Sequence, residues 1–114
     1  MLFEMEIADT ISLHNFYINI RNGGDYPWRN IFLFVKTKYP SGTTQRDTIE
    51  CMLADSHGRW YGDGIGDLWF HQVMFVRSRR FPMAGKYEFH FQQAMRKETI
   101  PSVFDVGLRI ETSR

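Results

Sequence analysis

Apolar and polar residues alternate one by one along most of the chain, as expected for β-strands that bury one face. Around residue 89, for example, Tyr87, Phe89 and Phe91 are separated by polar residues. Residues 30–38 differ, because apolar side chains occupy both faces, which predicts a central strand or a face that meets a partner. The pattern predicts strands at residues 2–7, 16–20, 30–38, 46–54, 68–76, 86–93 and 104–110.

Turn-forming residues separate these segments, and no stretch of about 11 residues has a helical period. Residues 55–67 contain four glycines and predict a long loop, in which Trp60 and Tyr61 form at most a short strand. Short, regularly spaced strands are typical of an all-β, antiparallel sandwich, here jelly-roll-like with about seven to eight strands. Since 114 residues is the usual size of one domain, we expect residues 1–114 to form a single β-sandwich domain. The remaining connections are predicted at residues 21–27, 39–43, 77–85 and 95–102, with a solvated basic cluster of Arg77, Arg79 and Arg80 in the third.

Charge and cysteine content narrow the function classes. The formal net charge is only +1, which argues against a nucleic-acid-binding protein, since such proteins usually carry a basic excess. No run of about 18 apolar residues exists, so no segment is predicted to span a membrane. The residues after Met1 alternate like a strand and do not resemble a signal peptide, so we expect any targeting segment to lie upstream. Cys51, the single cysteine, shares a strand face with Ile49 and Leu53 and is predicted to be a buried small hydrophobe.

Residues that support catalysis or bind metals do not form a recognisable motif. The four histidines lack metal-ligand spacing, no second cysteine is present for zinc, and no G-x-S-x-G motif indicates a serine hydrolase. We therefore predict a protein that is not an enzyme, with no catalytic residue, no cofactor and no metal site. Calcium at Asp63 and Asp67 stays an open alternative, because these carboxylates in a glycine loop either supply oxygen ligands or cap turns.

The aromatic residues in or beside turns are the best candidates for binding. Rings on the loops of a sandwich either stack on sugars, anchor a partner protein or fill the core at the ends of the sheets. Residue patterns alone leave these alternatives open. The candidate binding residues are Tyr26, Trp28, Trp60, Tyr61 and Trp69, together with Asp63 and Asp67.

Three stretches of the chain, taken in order, resemble the gliding-motility lipoprotein GldH family of Bacteroidetes. Together they extend from Ile11 to Glu111, nearly the whole chain, although no single piece is diagnostic. The first comprises Arg21-Asn22, Tyr26-Pro27 and residues 30–35; the second comprises residues 47–50, 53–55, 58–60 and 62–67; the third comprises residues 85–87, 93–96 and 105–111.

The resemblance implies a small lipoprotein of the cell envelope, held by an acylated N-terminal cysteine in the outer membrane with its domain on the periplasmic side. It further implies a non-enzymatic role in gliding motility and the associated secretion machinery, with other envelope proteins as partners. The membrane contact is expected through a lipid outside this chain, because Cys51 lies in mid-strand with no signal segment before it. A carbohydrate-binding module on the same sandwich is the alternative.

Overall fold

The structure is a computed structural model that describes residues 1–95 and 103–113, except for the side chain of Phe104. Most of the connection predicted at residues 95–102 therefore lies outside the described residues. The strands are β1 (Leu2–Ile7), β2 (His14–Gly23), β3 (Asn30–Lys38), β4 (Thr44–Met52), β5 (Asp63–Ile65), β6 (Leu68–Arg79), β7 (Gly85–Gln93) and β8 (Val103–Thr112).

These strands form two antiparallel sheets that pack face to face. The first sheet has four strands in the order β1-β7-β3-β4, and the second has four in the order β5-β6-β2-β8. The predicted antiparallel sandwich is therefore confirmed, and the structure adds the order of its strands. Throughout the described part of the chain, no helix is long and apolar enough to cross a membrane.

The core lies between the two sheets and is rich in aromatic rings. Phe89 of β7 contacts Phe16 of β2 across the sheets, with ring centroids 6.0 Å apart, and Phe91 contacts Phe75 of β6 at 6.2 Å. Such edge-to-face contacts are favourable for aromatic pairs. The most buried apolar side chains include Ile18, Ile20, Ile31, Leu33, Val35, Cys51, Leu53, Tyr87 and Phe89.

β3 lies inside its sheet, as its apolar pattern predicts, but its outer face is only partly covered. Phe32 on that face is 37% exposed. Phe34 is half-buried, because the guanidinium carbon of Arg46 lies 4.0 Å from its ring centroid in a cation–π contact. The outer face of β3 is thus partly covered by Arg46, a side chain of the neighbouring strand β4.

β2 extends further than its sequence predicts. The turn expected at residues 21–27 begins only after Gly23, because Arg21 and Asn22 pair with β6 on one side and β8 on the other. The Tyr26 amide then donates to the Gly23 carbonyl at 3.1 Å and closes the turn. Pairing with two neighbouring strands overrides the local preference of Asn-Gly for a turn.

β6 also runs further than predicted, so Arg77 and Arg79 lie at the end of a strand and not in a connection. These two arginines and Arg80 are exposed, as expected of a solvated cluster. Ser78 between them adopts a positive φ of 49°, and its amide donates to the side-chain oxygen of Asn15 at 2.8 Å. Shifts in the β2–β6 register occur beside this region, which are the mark of a β-bulge.

The loop predicted at residues 55–67 contains a strand that its sequence does not signal. This strand, β5, pairs with the first three residues of β6. The short strand expected at Trp60 and Tyr61 is reduced to one isolated bridge between Trp60 and Ala54. Because β5 is so short, β6 beyond Phe70 has no strand beside it on that edge within residues 1–95 and 103–113.

Candidate functional site

The predicted rings Tyr26, Trp28, Trp60 and Trp69 come together at one end of the sandwich, with His71 beside them. Ring centroids lie 5.5 Å apart for Tyr26–Trp28 and 6.4 Å apart for Tyr26–Trp60. Trp60 also contacts Trp69 at 6.4 Å and His71 at 6.1 Å. We call these five residues the aromatic cluster. Their planes meet at angles from 32° to 69°, so the rings interlock and do not form a flat platform.

The aromatic cluster closes the end of the core. Tyr26 is 4% exposed, and the three tryptophans of the cluster are half-buried. The Tyr26 hydroxyl donates to the Asn30 carbonyl oxygen at 2.7 Å. Burial raises the pKa of Tyr26 to about 12, so the hydroxyl remains a donor near neutral pH. These rings therefore fill the end of the core, which is one of the alternatives that the sequence left open.

The exposed part of the predicted site is residues 61–67, which we call the tip. Tyr61 is 64% exposed and Ile65 is 73% exposed. The Tyr61 amide donates to the Leu53 carbonyl at 2.8 Å, and residues 63–65 are held as β5. The tip therefore presents two apolar side chains from a backbone that is fixed to the rest of the sandwich.

Gly64 allows the tip to lie flat on the face of Trp69, which is its register partner in β6. A Cβ atom on Gly64 would stand 2.7–2.9 Å from three ring carbons of Trp69, which is closer than packed atoms approach. An aromatic ring that covers a glycine on the neighbouring strand is a known way to stabilise an edge. The aromatic cluster thus supports the tip directly.

Gly64→Ala is expected to lower the free energy of unfolding by about 1–3 kcal/mol, the usual cost of forcing extra volume into a packed site. Urea denaturation followed by tryptophan fluorescence measures this change. Gly107→Ala is the matched control, since a Cβ there would meet only the Asn19 Cβ at 3.7 Å. Equal stability of the two variants would contradict the close packing of Gly64 on Trp69.

Two polar side chains are buried at the same end of the core, and the sequence assigned no role to either. Asn22 is 0% exposed and His71 is 5% exposed. The Asn22 amide nitrogen donates to the Gly23 carbonyl at 2.9 Å. Within the described part of the chain, Asn22 Oδ1 and both ring nitrogens of His71 have no hydrogen-bond partner. Burial lowers the pKa of His71, so its imidazole is neutral at pH 7. The sequence signal for its burial was its place among the alternate residues of β6 that face the core.

The acidic residues of the tip and the single thiol have separate surroundings. Asp63 and Asp67 are exposed, and no group of three His, Cys, Asp or Glu side chains among the described residues gathers at metal-binding distance.

Cys51 is buried, as predicted. Its burial, and to a smaller extent the charge of Glu50, raises the pKa of the thiol to about 11. The thiol is therefore protonated near neutral pH and is not a reactive nucleophile.

Two concave features lie away from the predicted rings. A cleft of about 320 Å³ opens between the sheets beside β4 and β6, lined in part by Ile49, Phe75 and Arg79. A more open groove of about 630 Å³ crosses the outer face of the second sheet, and Asn19 and Gln72 lie in it. The sequence did not reveal either feature, because strand order and register decide which side chains meet there.

Comparisons with known proteins identify the relatives of the chain. The sequence profile of a family described as GldH lipoprotein matches residues 1–110. The gliding motility lipoprotein GldH homolog of Christiangramia forsetii is 36% identical over 118 aligned positions, which cover 97% of this chain and 73% of that protein. The gliding motility lipoprotein GldH of Flavobacterium johnsoniae is 33% identical over 116 positions, which cover 96% of this chain and 72% of that protein. No solved structure matches the chain significantly.

The fold and these matches together define a β-sandwich domain of a lipid-anchored cell-envelope protein. The match extends over almost the whole chain, from the first strand into the last. The chain belongs to the GldH lipoprotein family. The resemblance seen in the sequence motifs is thereby confirmed.

Proposed function

We propose that this protein is a non-enzymatic component of the cell envelope that binds another envelope protein through the tip. The observation that carries the proposal is the exposure of Tyr61 and Ile65 on the tip, whose Gly64 packs on Trp69 of the aromatic cluster. The relatives are named for gliding motility, which makes the gliding apparatus and its secretion machinery the proposed source of the partner. The proposed anchor is a lipid in the outer membrane, with the domain on the periplasmic side.

The physical character of the tip suits protein binding. Tyrosine is enriched among the residues that dominate binding energy at interfaces. Because the backbone of the tip is already fixed by β5 and by the Leu53 hydrogen bond, little conformational entropy is lost on association. The exposed carboxylates of Asp63 and Asp67 would form a polar rim around the two apolar side chains.

Two side chains that often serve in catalysis are withdrawn from solvent, which supports the non-enzymatic part of the proposal. Cys51 is 0% exposed and His71 is 5% exposed. The pKa of the Cys51 thiol is raised to about 11 by burial. Neither the thiol nor the imidazole meets a substrate at the surface in this arrangement.

The proposal is tested by replacing exposed side chains in cells that lack the native gene and carry the variant on a plasmid. Tyr61→Ala with Ile65→Ser is expected to reduce gliding or secretion, and a photo-crosslinking amino acid at position 61 is expected to capture a specific envelope protein. Ile11→Ser is the matched control, because Ile11 is 81% exposed and precedes β2 at the opposite end of that strand. Wild-type function of the tip variant, or identical crosslinks from positions 11 and 61, would refute the proposal.

Sugar stacking on the loop rings, the alternative raised by the sequence, needs coplanar exposed rings. Tyr26 is buried, and the Trp60 and Trp69 planes are tilted by 32°. This end of the molecule therefore supports a protein partner better than a sugar.

A further inference from the structure

The groove on the outer face of the second sheet follows one row of the strand register. Asn19 of β2 lies opposite Gln72 of β6 and Gly107 of β8. All three point away from the core, because Ile18 and Ile20 on either side of Asn19 are buried. Gly107 leaves open space at this position, since the nearest atom to an added Cβ would be the Asn19 Cβ at 3.7 Å. The floor of the groove is therefore made of two carboxamides and a glycine, which has no side chain.

Larger side chains stand on both sides of this floor. The two flanking rows lie two residues before and two residues after the floor row along each strand. They are about 13 Å apart, since each residue of a strand advances about 3.3 Å. The groove crosses three strands, so its floor is about 10 Å long at a strand spacing of about 4.8 Å. One flanking row, which lines the groove, contains Phe70, Arg21 and Asp105. The row on the other side, which lies beyond the lining, contains Met74, Tyr17 and Arg109.

The floor has hydrogen-bonding capacity that the described residues do not use. The side chains of Asn19 and Gln72 make no hydrogen bond with any other part of residues 1–95 and 103–113. Each carboxamide offers two N–H donors and one carbonyl acceptor. A ligand with many groups that both donate and accept, such as hydroxyls, would match this floor.

The charge of the groove disfavours an anionic ligand. Arg21 forms a salt bridge with Asp105, and Asp63, opposite Phe70 in β5, adds a second carboxylate to the lining. One guanidinium thus faces two carboxylates, so a phosphate or acidic ligand would be repelled. On the far side Arg109 is paired with Glu111 and supplies little free positive charge.

We propose that this groove binds a neutral oligosaccharide. The two carboxamides of Asn19 and Gln72 would hydrogen-bond to sugar hydroxyls, and the space above Gly107 would admit a sugar ring. Phe70, which is 40% exposed, presents a ring on the adjoining row against which the apolar face of a sugar can pack. The volume of about 630 Å³ lies within the range of small-ligand sites, about 300–1,000 Å³.

An extended peptide fits this surface less well. Peptides that add to a sheet pair with the free backbone of an edge strand, whereas the groove runs across β6, β2 and β8. At its centre β2 is paired on both sides, so its backbone offers no free row of donors and acceptors. Recognition in the groove therefore depends on side-chain amides and one exposed ring, which favours a hydroxyl-rich ligand.

The ligand is tested by NMR titration of the ¹⁵N-labelled chain. The probes are neutral hexasaccharides of glucose, N-acetylglucosamine, mannose and xylose, and neutral glycans released from the envelope of the producing cells. At least one probe is expected to cause saturable shifts of the Asn19 and Gln72 side-chain amides and of the Gly107 backbone amide. Absence of saturable shifts in the groove with every probe would overturn the proposal, as would shifts confined to the tip.

Substitutions then locate the binding. Gly107→Val fills the space on the floor and is expected to weaken binding at least about tenfold, or about 1.4 kcal/mol. Gln72→Ala is expected to weaken binding several-fold without filling the groove, which keeps the test valid if the valine variant folds poorly. Gln92→Ala is the matched control, since Gln92 is an exposed strand residue of the other sheet, and it is expected to leave affinity unchanged.

Two competitors check the assigned class of ligand. Inorganic phosphate and a galacturonic acid hexasaccharide are expected to bind more weakly than the neutral probe, because the groove carries excess carboxylate. Tighter binding of either anion, or saturable binding of an uncharged extended peptide to the same amides, would replace the neutral oligosaccharide with a different ligand.

Discussion

Replacing Phe89 by alanine is expected to lower the free energy of unfolding by about 3–5 kcal/mol, the usual cost of truncating a buried phenylalanine. Phe89 is 1% exposed and lies in an inner strand of the first sheet. Its ring meets Phe16 of the other sheet at 6.0 Å and Tyr87 at 6.4 Å. The truncation would therefore open a cavity at the junction of the two sheets, where backbone on both sides limits collapse. Thermal denaturation followed by circular dichroism would show a midpoint lowered by more than about 10 °C.

Phe32→Ala provides the matched control for that result. Phe32 is the same residue type, also in an inner strand of the first sheet, but its side chain is on the outer face and is 37% exposed. We expect it to cost less than about 1.5 kcal/mol, since part of its surface is already in water. Similar losses for Phe89→Ala and Phe32→Ala would show that inner and outer faces are wrongly assigned, or that a partner covers the outer face.

The stability of the domain is expected to fall as pH decreases from 7 to 5 because of His71. Burial lowers the pKa of His71 in the folded state, whereas an exposed histidine in the unfolded chain titrates near pH 6.5. Below that pH the unfolded state binds a proton that the folded state does not, so unfolding becomes more favourable. The loss is at most about 1.4 kcal/mol per pH unit and ends when the folded imidazole itself takes up a proton.

His71→Leu should remove this part of the pH dependence. Because both ring nitrogens of His71 lack a partner in the described residues, an apolar replacement is expected to be neutral or stabilising at pH 7.5. Urea midpoints of the two proteins at pH 7.5, 6 and 5 measure the difference in slope. His90→Gln, on the outer face of β7, tests whether the effect is specific to the buried ring. An NMR titration that places the pKa of His71 at or above 6.5 would contradict the explanation.

The alternation of apolar residues predicted the strands and their inward faces because burial on one side of a sheet imposes a period of two. The inward positions of Cys51 and Leu53 are confirmed for the same reason. Strand order could not be predicted, because β1 pairs with β7 and β2 pairs with β8, and such distant partners leave no local signal. β5 was missed since its pairing depends on Trp69 covering Gly64 and not on strand-forming residues of its own.

The candidate site was predictable only in part. Aromatic residues beside turns correctly pointed to the end of the molecule where the aromatic cluster lies, but only Tyr61 among them is strongly exposed. Exposure there depends on the contacts that pack the other four rings together, which join segments distant in sequence. The groove could not be predicted from the sequence for a different reason. Its floor residues, Asn19, Gln72 and Gly107, are far apart in sequence and meet only through the strand register. An isolated glycine in a strand is a weak signal until its neighbours are known.

The shortness of β5 has a consequence for how copies of this domain behave at high concentration. Beyond Phe70, the outer edge of β6 is paired with no strand among residues 1–95 and 103–113, and an open edge is a template for another chain. Arg77 and Arg79 are exposed at the far end of that edge, and the positive φ of Ser78 between them departs from regular strand geometry. Charged side chains and an irregular backbone at an edge both oppose regular pairing with another chain. Arg77 and Arg79, which the sequence placed in a solvated connection, therefore lie where charge disfavours edge-to-edge pairing of two copies.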